Sequence, residues 1–334
     1  MSEPEGAREH AFEFHGSGGE YFRIWIVNLL LTVATLGIYS AWAKVRSARY
    51  FAGSTRLDGA SFAYLANPIA ILKGRLLVLG FGALYFVASL VSPFLEGAFA
   101  IGVFLLIPWA IVRSMAFRAH HTAWRSVRFR FDAPYREALT AYLGLPLLAA
   151  LTLGFLYPYC VYRQRGFLVS HAAFGTTPFV FGSASRDFYR LFGGVLLVAV
   201  AATVAIGSAF AAGGETGLAL AGAAAIPIYF YLFGSLASGI TNLTYQGARL
   251  GPHRLASHLP ATGLAVLYFT NALAILASLG LLLPWAHVRL VRFRLSHLSL
   301  HAGAPLDDFV AAEARQVDSL GAELGDALDL DLGL

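Results

Sequence analysis

Arginines and imidazoles recur in this chain on one spacing. Arg46, Arg113, Arg163 and Arg289 each close an apolar run through an aromatic-rich junction, within "AWAKVR", "PWAIVR", "YPYCVYR" and "PWAHVR". Four residues beyond each arginine stands an aromatic: Tyr50, Phe117, Phe167 and Phe293. Eight residues beyond stand Ser54, His121, His171 and His297, and Asn242 is read as the same position in a further, looser copy. Imidazoles converging on one axis near a membrane surface could bind a metal or titrate near neutrality. No C-x-x-C spacing accompanies them, however. The plainer reading is that they cap helix ends or bond hairpin backbone, with no metal and no other cofactor implied.

The same arginines, with Lys73 and Arg75 ahead of the second apolar segment, could make bidentate contacts to lipid phosphates or to an anionic solute. Near an anionic leaflet each positive side chain is worth about 1 kcal/mol. Anchoring alone therefore accounts for them. "HGSGG" at His15–Gly19 could cradle a phosphate on free N–H groups but lacks the full glycine pattern and lysine of a P-loop, and reads better as a strand-to-helix joint. No G-x-S-x-G elbow, H-E-x-x-H motif or intramembrane carboxylate pair occurs, so no catalytic residue is assigned. Inside the apolar segments the polar candidates are Asn28 and Asn271, able to hydrogen-bond across helices. The scarcity of ionisable groups there argues against a proton-coupled pump.

The elements that must position these residues follow from composition. Hydrophobic residues make up 57% of the chain and charged ones 13%, which sets it outside ordinary soluble domains. Seven apolar stretches, from Ile24–Ala43 to Leu255–Ala286, approach or exceed the roughly 20 residues of a span. The acidic start "MSEPEGAREH" has no apolar core, so no secretory signal peptide is expected. Cys160 is the single cysteine, which excludes an internal disulfide. The chain is basic, but its basic residues flank apolar segments without forming a tract, which points to anionic membrane lipids as partners and away from nucleic acid.

After each arginine-bearing junction come two short strands and a turn. "TRLDGASFAY" carries Asp58-Gly59, a strong two-residue hairpin signal, and outgoing strands alternate as Phe62/Tyr64, Phe129/Phe131 and Phe179/Phe181. "FEFHG" near the amino terminus supplies a half-unit and "HLSLHAG" near the carboxy terminus lacks a second strand, so a circle can close between the two. This internal repeat should share one compartment. Basic residues crowd the hairpin-bearing connections, whereas the short connections with Glu96 and Glu215 hold none. The positive-inside rule then predicts cytoplasmic hairpins.

The fold class expected is a mainly α, polytopic integral membrane protein. It has four full transmembrane helices plus three re-entrant or half-inserted helical hairpins, with β-hairpins after the helices forming a cytoplasmic sheet or shallow barrel. Mid-depth breaks are expected at Asn28 and Gly37, at Pro146 and Gly154, and at Asn271 and Gly280, and the four full crossings are expected to cover them. Seven transmembrane helices is the alternative. Three regions follow: an N-terminal strand and loop over 1–19, a repeat-built membrane domain over 20–304, and an acidic tail over 305–334, read as a short surface helix with a solvated end.

"FHGSGGEYFRIWIVNLLLTVATLGIYSAWAKVRSARYFAGSTRLDGASFAY", "ILKGRL", "TLGFLYPYCVYR" and "SLGLLLPWAHVR" resemble the YjgN-like family of bacterial inner-membrane proteins, a domain of unknown function. The likeness runs from about Phe12 to the carboxy terminus, although "YPYC" stands where other copies have Trp-Ala. It implies a multi-pass location in the bacterial cytoplasmic membrane and no activity. From the residues, the first expectation is a non-enzymatic protein that binds or passes a small solute or lipid. The alternative is a membrane scaffold or envelope-maintenance protein with a cytoplasmic docking surface. Third is an enzyme acting on lipid phosphates with a histidine as acid or base.

Overall fold

A computed structural model describes residues 8–331. Ten short strands close into one barrel in the cyclic order β1-β10-β9-β8-β7-β6-β5-β4-β3-β2. They are β1 (Arg8–Phe14), β2 (Thr55–Leu57), β3 (Ala60–Tyr64), β4 (Thr122–Trp124), β5 (Val127–Phe131), β6 (Ala172–Phe174), β7 (Thr177–Phe181), β8 (Ala248–Leu250), β9 (His253–Ser257) and β10 (Leu298–Ala302). Every pairing is antiparallel. Strand β1 pairs with β10 on one side and β2 on the other, so the first strand completes the last hairpin and closes the circle. Closure removes unpaired strand edges, and hairpins that are marginal alone hold one another.

The turns explain the register. Asp58 and Gly59 both have positive φ, at 49° and 72°, and Arg125 and Ser126 repeat this at 48° and 69°. Such turns match the twist of the strands they join. Because four two-residue turns lie at one rim, the chain must leave and re-enter for each helical excursion at the other. All five excursions therefore stand on the same side of the barrel.

Those excursions come in two lengths. Helices α3 (Pro68–Val91) and α4 (Pro93–His120) form one long hairpin, turning at Ser92, whose side chain caps α4. Helix α8 (Ser185–Gln246) forms the other, bent at Gly214 (φ 52°) into arms Ser185–Ala211 and Ala221–Gln246. These four helices are long and apolar enough to cross a membrane. The backbone at Glu215 belongs to the second bend, but its side chain lies outside the described residues.

Elsewhere the apolar segment is broken in two. Helices α1 (Gly18–Ala34) and α2 (Ser40–Ser54) form one pair, and α9 (Ala261–Ala277) and α10 (Leu283–Leu295) another. In the remaining pair α5 (Tyr135–Leu139), a π turn at Thr140–Gly144 and α6 (Leu145–Leu151) run into a break before α7 (Tyr157–Ser170). Seven uninterrupted helices are thus not what the chain forms. Each break has the same geometry, with Leu36-Gly37, Leu153-Gly154 and Leu279-Gly280 all left-handed.

The cover expected for these breaks is absent: Leu36, Leu153 and Leu279 are 96%, 90% and 93% exposed. Local bonding takes its place. The Gly37, Gly154 and Gly280 N–H groups donate five residues back, to Thr32, Ala149 and Ile275 carbonyls, at 2.7, 2.8 and 2.8 Å. Thr35, Thr152 and Ser278 hydroxyls accept from the N–H groups of Tyr39, Leu156 and Leu282, capping the returning helix. Each turn thus pairs these polar groups within itself.

Candidate functional site

Alternation along the strands fills the barrel with one kind of side chain. Phe12, Leu57, Phe62, Trp124, Phe129, Phe174, Phe179, Leu250, Leu255 and Leu300 cluster inside. Their rings make a belt, with Phe62 packed on Phe12, Trp124 and Phe129 at 6.2–6.4 Å, and Phe129 on Phe174 at 5.1 Å. Each such contact is worth about 0.5–1.5 kcal/mol beyond burial. Eight strands give a lumen that side chains just fill. Ten leave an apolar cavity of about 490 Å³, within the range of ligand pockets. Its helix-side end is lined by Phe51, Ala52, Tyr245 and Leu295, and its turn-side end by Leu306 and Phe309.

Leu306 and Phe309 belong to α11 (Leu306–Asp331), which starts where β10 ends, at the turn rim. The first turns of the tail, read from the sequence as a short surface helix, here plug the barrel. Leu306, Val310 and Glu313 are buried, with Phe309 stacked on Phe174 at 6.1 Å. Glu313 accepts from the Thr176 N–H at 2.6 Å, the Thr176 hydroxyl at 2.9 Å and the Thr177 hydroxyl. Gly175 (φ 58°) allows this approach, since a Cβ there would lie 2.4 Å from a Glu313 oxygen. Burial by itself raises the Glu313 carboxyl, but the Thr177 and Thr176 hydrogen bonds outweigh it and hold the group below its ordinary value. A second clamp joins Asp307 to Arg125, which also donates to Asp58 at 2.6 Å and stacks on Trp124 at 4.7 Å. His10 approaches the same Asp58 at 3.1 Å.

Among the described residues, one buried polar side chain inside the barrel has no partner. His253 is 1% exposed, neither ring nitrogen finds a hydrogen bond, and its ring meets Phe309 edge-on at 4.6 Å. Burial, then the neighbouring His10, pushes its pKa down, which favours the neutral imidazole. Sequence reasoning passed over it because it lies in the least regular hairpin. The available signal was alternation: His253 and Leu255 occupy inward positions that Val127 and Phe129 hold in β5.

The repeated positions are brought together as a ring of backbone bonds. The carbonyls of Ser54, His121, His171, Gly247 and His297 accept from the N–H groups of His15, Leu65, Asp132, Gly182 and His258, at 2.8–3.0 Å. These five bonds stitch each helix end to the strand exit beside it. The imidazole Nδ1 atoms of His121, His171 and His297 donate to the carbonyl four residues earlier, at 2.7, 2.9 and 2.7 Å. In the fourth unit the position is Gly247. Asn242 lies five residues earlier and holds Ser257 and Leu259, accepting from each at 2.8 Å.

Asn28 and Asn271 clasp their helix pairs. Asn271 donates to the Ala286 carbonyl at 3.2 Å and accepts from Arg289 at 2.9 Å; Asn28 donates to the Ala43 carbonyl at 3.4 Å. In the third pair Leu145 packs on Cys160 at the corresponding place. Arg46, Arg113 and Lys73 are exposed, Arg163 donates to Tyr159, and Arg75 donates to Ser40. The "HGSGG" joint has its Ser17 N–H taken by Tyr50 at 2.7 Å, and Gly18 packs against Trp285 where a Cβ would lie 2.2 Å away. Among the described residues no three His, Cys, Asp or Glu side chains gather as metal ligands.

The fold is mainly helical, with four helices able to cross a membrane and a closed ten-stranded barrel capped by α11. The chain belongs to a family described as bacterial protein of unknown function (DUF898), whose pattern matches residues 9–327. It is similar to inner membrane protein YjgN of Escherichia coli O157:H7, 28% identical over 149 residues, which is 44% of this chain and 37% of that protein. To inner membrane protein YjgN of Salmonella typhimurium it is 36% identical over 150 residues, 43% of this chain and 37% of the relative. The matched stretch thus spans little more than a third of these relatives. No solved structure matches. Family, relatives and four membrane-capable helices together define a bacterial inner-membrane protein.

Proposed function

We propose that the protein is a non-enzymatic lipid-binding protein whose barrel lies against the cytoplasmic face and takes a membrane-derived apolar chain into its lumen. The observation that carries this reading is the 490 Å³ cavity, walled by aromatic and aliphatic side chains and lined at its helix-side end by helix termini. In this reading the three broken helix pairs are re-entrant wedges. Helix α1, at 17 residues, reaches about 25 Å at 1.5 Å per residue, short of a full crossing once its first turns lie in the interface. Exposed apolar tips at Leu36, Leu153 and Leu279 support insertion into hydrocarbon. Arg46, Arg113 and Arg163, with Lys73, supply the barrel-side positive charge that favours an anionic cytoplasmic leaflet.

Gentle purification followed by mass spectrometry of bound lipids tests it. Wild type is expected to retain a chain-bearing species out of proportion to bulk lipid, and Leu250→Trp, which fills the lumen, to lose it. Bulk lipid in bulk proportions from both would overturn the reading. A docking role has its own support in the exposed outward arginines Arg56, Arg128, Arg130, Arg249 and Arg254, which present a basic outer wall to acidic partners.

A further inference from the structure

We propose that the lumen is built for a single-chain carboxylic acid, held with its polar end at His253 and its chain running toward the helices. This rests on the lipid-binding reading and names the ligand's chemistry. A cavity meant only for hydrocarbon would have no reason to hold an imidazole at its inner end. Deeply buried polar atoms are almost always hydrogen-bonded, and an unmet one is costly. Both ring nitrogens of His253 are unmet, and the ring lines the cavity. The other described lining groups are apolar except for Thr55, Thr122 and Tyr245, placed at the ends of β2, β4 and α8 nearest the helices.

Position sets the orientation. His253 opens β9 directly after the Gly251-Pro252 turn, so it sits at the plug end beside Phe309. A fatty acid sliding from the adjacent leaflet would enter polar end first and keep the direction it had in the bilayer. The neutral imidazole has one N–H donor and one acceptor nitrogen, and a protonated carboxyl offers both an O–H and a carbonyl. An ester can only accept, and an alkane can do neither. The belt of Phe62, Phe129, Phe174 and Phe179 then meets the chain, and α11 seals the polar end from water.

The test uses the full chain in nanodiscs with three diazirine-bearing sixteen-carbon probes: the acid, its methyl ester and the alkane. Photolabelled peptides are mapped and each probe is competed with its unlabelled form. The acid is expected to label the strands bearing Phe62, Phe129 and Phe174 with about tenfold higher apparent affinity than the ester, the worth of one buried hydrogen bond. In His253→Leu the acid and the ester should fall to a common level, since the ester too loses the imidazole N–H, while the alkane keeps its wild-type labelling, showing the lumen intact. Equal labelling by acid and ester in wild type, or an acid preference that survives in His253→Leu, would overturn the carboxylic acid assignment alone. Absence of lumen labelling by all three probes would overturn the lipid-binding reading with it.

Discussion

Replacing Glu313 with alanine probes the plug at its strongest point. The carboxylate accepts three hydrogen bonds from Thr176 and Thr177, and it is 4% exposed. A hydrogen bond to a charged group contributes roughly 1.5–3 kcal/mol net, but the three share one acceptor and the hydroxyls can turn to water when the helix lifts. The Thr176 N–H has no such freedom. We therefore expect a loss of about 2–4 kcal/mol in docking, or a rise of roughly 30- to 1,000-fold in the undocked fraction. Burial of Leu306, Phe309 and Val310 remains, so docking weakens without being abolished. Hydrogen exchange over residues 306–317 reads this directly, and Glu313→Gln, which keeps an acceptor oxygen, should fall between wild type and Glu313→Ala. The sign with pH follows from the depressed carboxyl. Its stabilisation is complete above the unfolded value of about 4.3 and is lost as pH falls through the lower docked value. Wild type should lose plug protection in that acidic window, and Glu313→Gln should not. Unchanged protection in Glu313→Ala at neutral pH would refute the clamp.

The breaks and clasps make further predictions. Gly280→Ala forces a side chain onto a left-handed residue with φ 90°, at about 1–2 kcal/mol, and a lowered Tm in detergent should report it. Asn271→Leu removes the bonds to Ala286 and Arg289; because Leu145 already serves the third pair, we expect a loss of only about 1–2 kcal/mol, measured by thermal unfolding. With Cys160 replaced, a thiol at Ser183, beside the barrel rim, should react with an impermeant reagent in inverted vesicles and not in intact cells.

Much of this architecture was legible because it rests on local rules. Asp58-Gly59 announced a hairpin, the alternating phenylalanines announced inward faces, and Gly37, Gly154 and Gly280 marked the breaks, whereas Asn28, Pro146 and Asn271, which the same reading offered, lie within helices. Closure of the circle was legible from an unpaired strand at each end. What the sequence hid depended on three-dimensional neighbours. Gly247 takes the fourth ring position because the bond it makes uses only backbone, which no side-chain pattern reports. The plug was hidden by the acidity of the tail. Glu313 is charged yet buried, made tolerable by a turn more than a hundred residues away, although Leu306, Phe309, Val310 and Ala314 do carry a helical apolar spacing.

A map of the full chain in lipid nanodiscs at side-chain resolution bears most directly on the claim that this barrel holds a lipid chain. The account predicts continuous elongated density running from His253 past Phe62, Phe129 and Phe179 toward the helix-side rim, on the single face where all five hairpins meet. A lumen closed by repacked side chains, or filled only with discrete water peaks, would contradict it.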